Sequence, residues 1–403
     1  MIPELLSPVQ DFVSLNAAIN AGADSVFFGL KEFNLRQGAK NFELKELEKV
    51  IRTCHDNNVK VYITLNSIIY DKELLKIKKI LKKLKKIDAV IAWDFFVINE
   101  CDKLNLPIHL STQASVSNFE TVLFLKSKIK NLKRINLARE LSMEQIKHIV
   151  KKIKQEKLNV EIETFVHGAM CVSISGRCFL SQEVFNKSAN RGSCLQPCRR
   201  KYIIKDIEEK HEYLIGEEYV MSPKDLCTIN IIDDLVKSGI HAFKIEGRNR
   251  SPEYVKTVTE CYREAIDYYK NKSNKKADIK KKLIKRLKTV YNRGFSTGFY
   301  LGRPADWTDD YGSKSTKKKV YLGRVLNYYI KKKAAEIKLE NGNLKLGQEL
   351  MISGNKTGIT QETVKSIEIN SKKVNIAVKG QRIGVELKNK VRENDKVYLV
   401  LNK

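Results

Sequence analysis

The chain has 403 residues, with 75 Lys and Arg against 47 Asp and Glu and a formal net charge of +28. That length supports a substantial core and two domains, and the charge favours a polyanionic partner, nucleic acid foremost. No apolar run approaches the ~18–20 residues of a membrane span, and Met1-Ile2-Pro3-Glu4-Leu5-Leu6 lacks the basic region and apolar core of a secretory leader, so a soluble cytoplasmic protein is expected.

Short β-branched runs alternate with amphipathic patterns from the start to about residue 250. The predicted strands are 4–6, 25–29, 60–65, 89–93, 108–112, 134–138, 159–166 and 242–246, with amphipathic helices between them at 44–57, 119–129 and 142–154, among others. Residues 74–84 show the same helical period with a lysine-rich outer face, so part of the charge is solvated helix surface. Eight strands, each but the seventh followed closely by a helix, predict a TIM-like (β/α)8 barrel. An open doubly wound sheet usually stops near six strands, and no G-x-G-x-x-G turn is present. A cysteine-bearing insertion at about 167–230 separates strands seven and eight and falls on the face where barrels carry their chemistry. A helix at 252–270 and a lysine-rich helix reaching Val290 complete an expected first domain at 1–305, with a linker at 304–316. Regular short strands separated by Gly and Asn turns then predict a small closed β-barrel at 317–403. It holds neither cysteine nor histidine, which suits a binding or docking module.

Four of the eight cysteines, Cys171, Cys178, Cys194 and Cys198, fall in that insertion with the spacing C-x6-C-x15-C-x3-C. Their neighbours are glycine, arginine and polar residues, unlike the apolar surroundings of structural cysteine. Disulfides need an oxidising compartment, structural zinc prefers C-x2-4-C pairs, and an iron–sulfur cluster tolerates longer irregular loops. On spacing alone iron–sulfur, zinc and free thiols all stay open. Barrel logic directs attention to polar residues at strand ends: Asn66, Asp94, Ser111-Thr112-Gln113, Arg139-Glu140, Glu161, Glu163, His167, Lys244, Glu246 and Arg248. Each taken singly has a bland alternative as a solvated loop residue or a helix cap, as Ser142 surely is for its helix. His167 could ligate a metal, donate a proton, or simply be a hydrogen-bonded histidine at a strand end, the commonest fate of a lone histidine. Neither G-x-S-x-G nor H-E-x-x-H occurs.

The run Glu163-Thr164-Phe165-Val166-His167-Gly168-Ala169-Met170-Cys171-Val172-Ser173-Ile174-Ser175-Gly176-Arg177-Cys178 closely resembles the signature of peptidase family U32. Further matches are Ser111-Thr112-Gln113-Ala114, Leu137-Ala138-Arg139-Glu140-Leu141-Ser142, Asn190-Arg191-Gly192-Ser193-Cys194, Ser222-Pro223-Lys224-Asp225-Leu226-Cys227 and Lys244-Ile245-Glu246-Gly247-Arg248, together spanning roughly residues 3–300. Despite its name, the family looks more like a set of iron–sulfur proteins that hydroxylate RNA or a cofactor precursor. The resemblance is greatest to the tRNA-hydroxylating branch. It implies oxygen-independent, prephenate-dependent conversion of the wobble uridine of tRNA to 5-hydroxyuridine, with sister branches acting on a 23S rRNA cytidine or in ubiquinone synthesis. It further implies a cluster, 4Fe-4S in type, on Cys171, Cys178, Cys194 and Cys198, with Cys227 in reserve and Cys54, Cys101 and Cys261 as core residues. The expected partners are a tRNA anticodon stem-loop, a small anionic co-substrate such as prephenate, and, as one candidate, a second U32-family subunit. Arg139 and Arg248 are expected to grip the anion, and Gln113, Glu163, His167 and Glu246 to orient the base or move protons. The competing readings are a collagenase-like U32 peptidase, hydroxylation of another RNA base or of a non-RNA substrate, and a non-catalytic RNA-binding protein.

Overall fold

Along each of the eight short strands, alternate residues face opposite ways. In the computed structural model, which describes residues 2–174, 176–200, 202–205, 207–215, 221–270, 276–302, 307–308 and 312–403, that alternation closes a barrel. Its strands are Glu4–Pro8, Ser25–Gly29, Lys60–Leu65, Ala89–Ala92, Ile108–Leu110, Leu132–Asn136, Glu161–Gly168 and Ala242–Ile245. Neighbours pair in parallel, and the eighth strand closes the ring by pairing with both the first and the seventh. Outward-facing residues such as Leu5, Val26, Phe28, Val61, Ile63, Val90, Ile135, Ile162 and Phe243 pack against the helices as one core. Inward-facing Leu6, Phe27, Tyr62, Ala89 and Ile91 form a smaller interior cluster.

The interior is also charged. At the N-terminal end of the strands, Arg134 donates to both oxygens of Glu4 at 2.8 and 3.1 Å, and the Tyr62 hydroxyl donates to the same carboxylate at 2.8 Å. Glu161 bonds Arg134 from the rim at 2.7 Å. This plug shuts the face away from the cysteines.

Strand seven is followed by the helix Leu180–Phe185, two single turns, a hairpin of Tyr202–Lys205 with Glu212–Ile215, and the strand Asp225–Cys227. The last runs antiparallel to the end of strand seven, pairing Leu226 with Gly168 and Cys227 with His167, so the insertion leaves and returns side by side. The helix that strand seven lacked in the sequence reading is displaced rather than missing. It is Ile232–Lys237, whose Ile232 and Leu235 join the outer core just before strand eight.

Of the ten described C-terminal strands from Lys317–Tyr329 to Lys396–Asn402, eight form one antiparallel sheet and Leu344–Lys345 pairs separately with Ile376–Ala377, all around a single apolar core. Ala17 of the first barrel helix, Phe12–Asn20, packs against Met351 and Ile359 of this module. Gly358 permits the approach: at φ +68° a Cβ there would lie 2.8 Å from the Ala17 nitrogen. Lys319 adds an ion pair to Glu253 at 2.7 Å. Of the expected linker 304–316, residues 304–306 and 309–311 lie outside the described residues, while Trp307 bridges to Pro223. Among the described residues no helix is long and apolar enough to cross a membrane.

Candidate functional site

The cysteine loops are held by glycines where chain meets chain. Gly168 ends strand seven at φ +107°, and a Cβ there would lie 2.3 Å from the Glu246 carbonyl oxygen. Gly192, at φ +89°, rests on the loop after strand two, where a Cβ would lie 2.1 Å from the Asn34 carbonyl oxygen. Only glycine meets both demands, the left-handed conformation and the close approach. So seated, Cys171, Cys178, Cys194 and Cys198 line one cavity of about 390 Å³, together with Arg36, Lys187, Arg199 and Asn249. The Gln196 amide donates to Cys194 Sγ at 3.4 Å, and the Cys178 amide is anchored on Asn190 Oδ1 at 3.2 Å.

Burial pushes the Cys194 and Cys198 thiols up, and the neighbouring thiols add to that; Arg36 opposes it at Cys194 and Arg199 opposes it at Cys198. Among the described residues, no three Cys, His, Asp or Glu side chains converge on a position the size of one metal ion. Cys227 is elsewhere: it is buried, its Sγ lies 4.0 Å from the Tyr262 hydroxyl, and burial pushes its thiol up to about 12. Cys54, Cys101 and Cys261 are buried, with thiols likewise pushed up to about 12 by burial.

Leu35 and Arg36 line both the cysteine cavity and a smaller cleft in the barrel mouth. Gln113, Asn136, Lys244, Glu246 and Arg248 also line that cleft. Arg36 Nε donates to Glu246 Oε1 at 3.0 Å. Burial pushes the Glu246 carboxyl up, but Arg36, Arg248 and Arg139 overcome it and hold the group down at about 2, so it is ionised at neutral pH. Arg248 donates to Thr64 Oγ1 at 2.8 Å and to Asn34 Oδ1 at 3.3 Å, and burial lowers its guanidinium to about 9. Glu163 Oε1 accepts from Lys244 at 2.8 Å and from Asn136 at 2.9 Å. Burial lowers the Lys244 ammonium, with Glu163 opposing. Gln113 is buried and accepts from the Ser111 hydroxyl. Arg139 stacks 3.8 Å from the Phe165 ring centre, donates to the Ala169 carbonyl at 2.8 Å, and lines a further cavity of about 280 Å³ that shares Cys171.

Among the polar atoms of this mouth that are buried with no hydrogen-bond partner are Arg139 Nε, Arg248 Nε, Asn136 Oδ1 and Glu163 Oε2. Two buried, unpaired guanidinium donors beside the cysteine cavity are what an anionic ligand would satisfy.

The other expected residues fall as follows. Asp94 caps the helix Phe95–Lys103 through the Phe96 and Val97 amides, and Ser142 caps Met143–Gln155 as expected. Glu161 belongs to the plug at the opposite end of the barrel, and Glu140 is solvent-exposed. His167 does not reach the mouth. A register shift between strands seven and eight pairs it with the outward-facing Ile245, so its ring lies among Tyr254, Tyr262 and Phe295. Burial lowers it to about 3, and it is neutral there. Sequence reasoning missed Arg36, which stands several residues beyond strand two in a loop without a motif; only its topological place after a strand could have flagged it.

The model of peptidase family U32 matches residues 10–309. The chain is 42% identical over 98% of its length to a protein named collagenase from Porphyromonas gingivalis, of which it covers 97%. It is 36% identical over 81% of its length to the tRNA hydroxylation protein P1 of Bacillus subtilis, covering 78% of that protein. Across 66% of its length it is 35% identical to the 23S rRNA 5-hydroxycytidine C2501 synthase of Escherichia coli, covering 39% of that longer chain. The chain belongs to peptidase family U32.

Proposed function

We propose that this protein is a cytoplasmic RNA hydroxylase that converts the wobble uridine of tRNA to 5-hydroxyuridine, with an iron–sulfur cluster on Cys171, Cys178, Cys194 and Cys198. The observation that carries the reading is the common wall at Arg36: the four-thiol cavity and an arginine-lined barrel mouth are two parts of one site. Relatives named for tRNA and rRNA hydroxylation support the substrate class. Replacing the C5 hydrogen of a pyrimidine by hydroxyl is a net oxidation, and a bound cluster supplies the electron-transfer chemistry that side chains lack.

The residues of the chain do the rest. Arg139 and Arg248 offer unpaired Nε donors to a carboxylate co-substrate, with prephenate the proposed one. Glu246, kept ionised, orients Arg36 against the thiols. Gln113 and Asn136 stand in the cleft to hydrogen-bond a pyrimidine edge, and Lys244 with Glu163 is the pair placed to hold or move a proton. A wobble base belongs to a single-stranded loop and can be splayed into such a cleft. Nucleoside mass spectrometry of tRNA from a strain lacking the gene is expected to show loss of 5-hydroxyuridine, restored by the wild-type gene; an unchanged level contradicts the proposal.

A peptidase reading is favoured by the collagenase-named relative. A thiol nucleophile would need a base, yet none of the six histidines lines the cysteine cavity. Cleavage of denatured collagen by the purified protein, undiminished by an iron chelator, would establish that reading instead.

A further inference from the structure

Folding should hide large aromatic rings, yet two at the barrel mouth lie almost fully in solvent. Phe95 is 79% exposed and Phe179 is 75% exposed. Tyr70 is 49% exposed. Tyr70 follows strand three, Phe95 follows strand four, and Phe179 stands next to Cys178, so topology puts all three on the face that carries the cysteines.

Arginines join them into one patch. The Arg177 guanidinium stacks 4.6 Å from the Trp93 ring centre, and Phe95 and Phe179 each lie two residues from that stack. Arg191 stacks 4.6 Å from the Tyr70 ring centre. Beside it, the Ile68 amide donates to the Asn190 carbonyl at 3.2 Å, and the Asn190 side chain holds the Cys178 amide. The outcome is a set of flat, exposed rings around the cysteine cavity with two arginine planes among them, of which Arg191 is also paired with Glu73 at 2.9 Å.

We infer that this arc is a stacking platform for the unpaired bases of an RNA loop, with Phe95 and Phe179 as its main rings. The inference rests on the RNA reading above and gives it a place of docking. Bases of every kind have an apolar face to lay on phenylalanine, and arginine adds a cationic plane beside the phosphates. A partner that is both flat-faced and anionic matches the patch on both counts, and a chain with net charge +28 attracts such a partner from a distance. An apolar protein partner would match the rings but would desolvate the arginines among them.

The test is fluorescence anisotropy with a labelled RNA hairpin carrying an open loop and with the same stem closed as a blunt duplex. The Phe95→Ala/Phe179→Ala variant is expected to lose about tenfold in affinity for the hairpin and nothing for the duplex. Its salt dependence should match wild type, since no phosphate contact is removed. The rings are exposed, so the melting temperature should hold, and Phe95→Trp/Phe179→Trp should retain hairpin binding. Equal hairpin affinity in wild type and the alanine variant overturns the platform. So does a change of oligomeric state on sedimentation with loop binding unaltered, because the rings would then serve a protein contact. If wild type ignores the hairpin altogether, the platform and the RNA reading both fail. If wild type binds it and supports hydroxylation while the alanine variant binds equally well, the platform alone is wrong.

Discussion

Arg36 connects the two halves of the site, and its energetics can be isolated. Its guanidinium is the nearest countercharge to a buried carboxylate, Glu246, and it also senses Cys171 and Cys194. Arg36→Met should destabilise the fold by about 3 kcal/mol, because it removes the hydrogen-bonded partner of a buried charge and leaves only the more weakly coupled Arg248 and Arg139 to balance it. Pairing it with Glu246→Gln should recover about 1–3 kcal/mol as coupling in a double-mutant cycle followed by chemical denaturation. Strict additivity would mean the pair contributes nothing. His167 gives a second residue-scale prediction. An unfolded chain takes up its proton near 6.5, whereas the folded one refuses it until about 3, so the unfolded state binds more protons between those values. Acidification through that window therefore costs stability, by up to about 1.4 kcal/mol per pH unit. His167→Phe should flatten the stability-against-pH curve there, and an unaltered slope would place the ring elsewhere. The arginines at strand ends were visible in the sequence because a barrel rim has few other uses for them. Arg36 was not, since nothing local distinguishes one loop arginine from another, and the outward turn of His167 depends on a register shift that no residue pattern announces.

At the scale of elements, the cysteine insertion is positioned by the end of strand seven. Gly168 combines φ +107° with a Cβ position 2.3 Å from the Glu246 carbonyl oxygen. Gly168→Ala should cost about 2 kcal/mol or more in denaturation and displace Cys171, lowering iron retention with every cysteine intact. Full stability and iron content in that variant would show that the loop tolerates a different entry. The barrel strands were legible because their β-branched runs are buried on both faces, a pattern no surface strand shows. The helix Ile232–Lys237 was hidden by its short length and by its distance from the strand it serves. The same displacement opens room for the cysteine loops without breaking the ring.

At the scale of the molecule, the barrel is plugged by Arg134, Glu4 and Glu161 at one end and open toward the cysteines at the other. Chemistry therefore has one entrance. The surplus of positive charge predicts that affinity for the RNA hairpin falls linearly and steeply with salt on logarithmic axes. A flat response would remove the phosphate backbone from the account. The C-terminal module, docked on Ala17 by Met351 and Ile359, presents its lysines from a fixed position rather than from a tether. The C-terminal strands enclose an apolar core of their own from Leu322 onward; its docking was not legible in the sequence, because it depends on small residues, Ala17 and Gly358, meeting across a long sequence interval.

The claim on which the rest depends is that Cys171, Cys178, Cys194 and Cys198 together hold an iron–sulfur cluster, with Cys227 left in the core. Iron and acid-labile sulfide should be measured in anaerobically purified wild type, Cys198→Ser and Cys227→Ser. Wild type and Cys227→Ser are expected to carry iron and sulfide in equal amounts, and Cys198→Ser to lose most of both. Stoichiometric zinc without iron in wild type, or a full iron content in Cys198→Ser, would contradict the account.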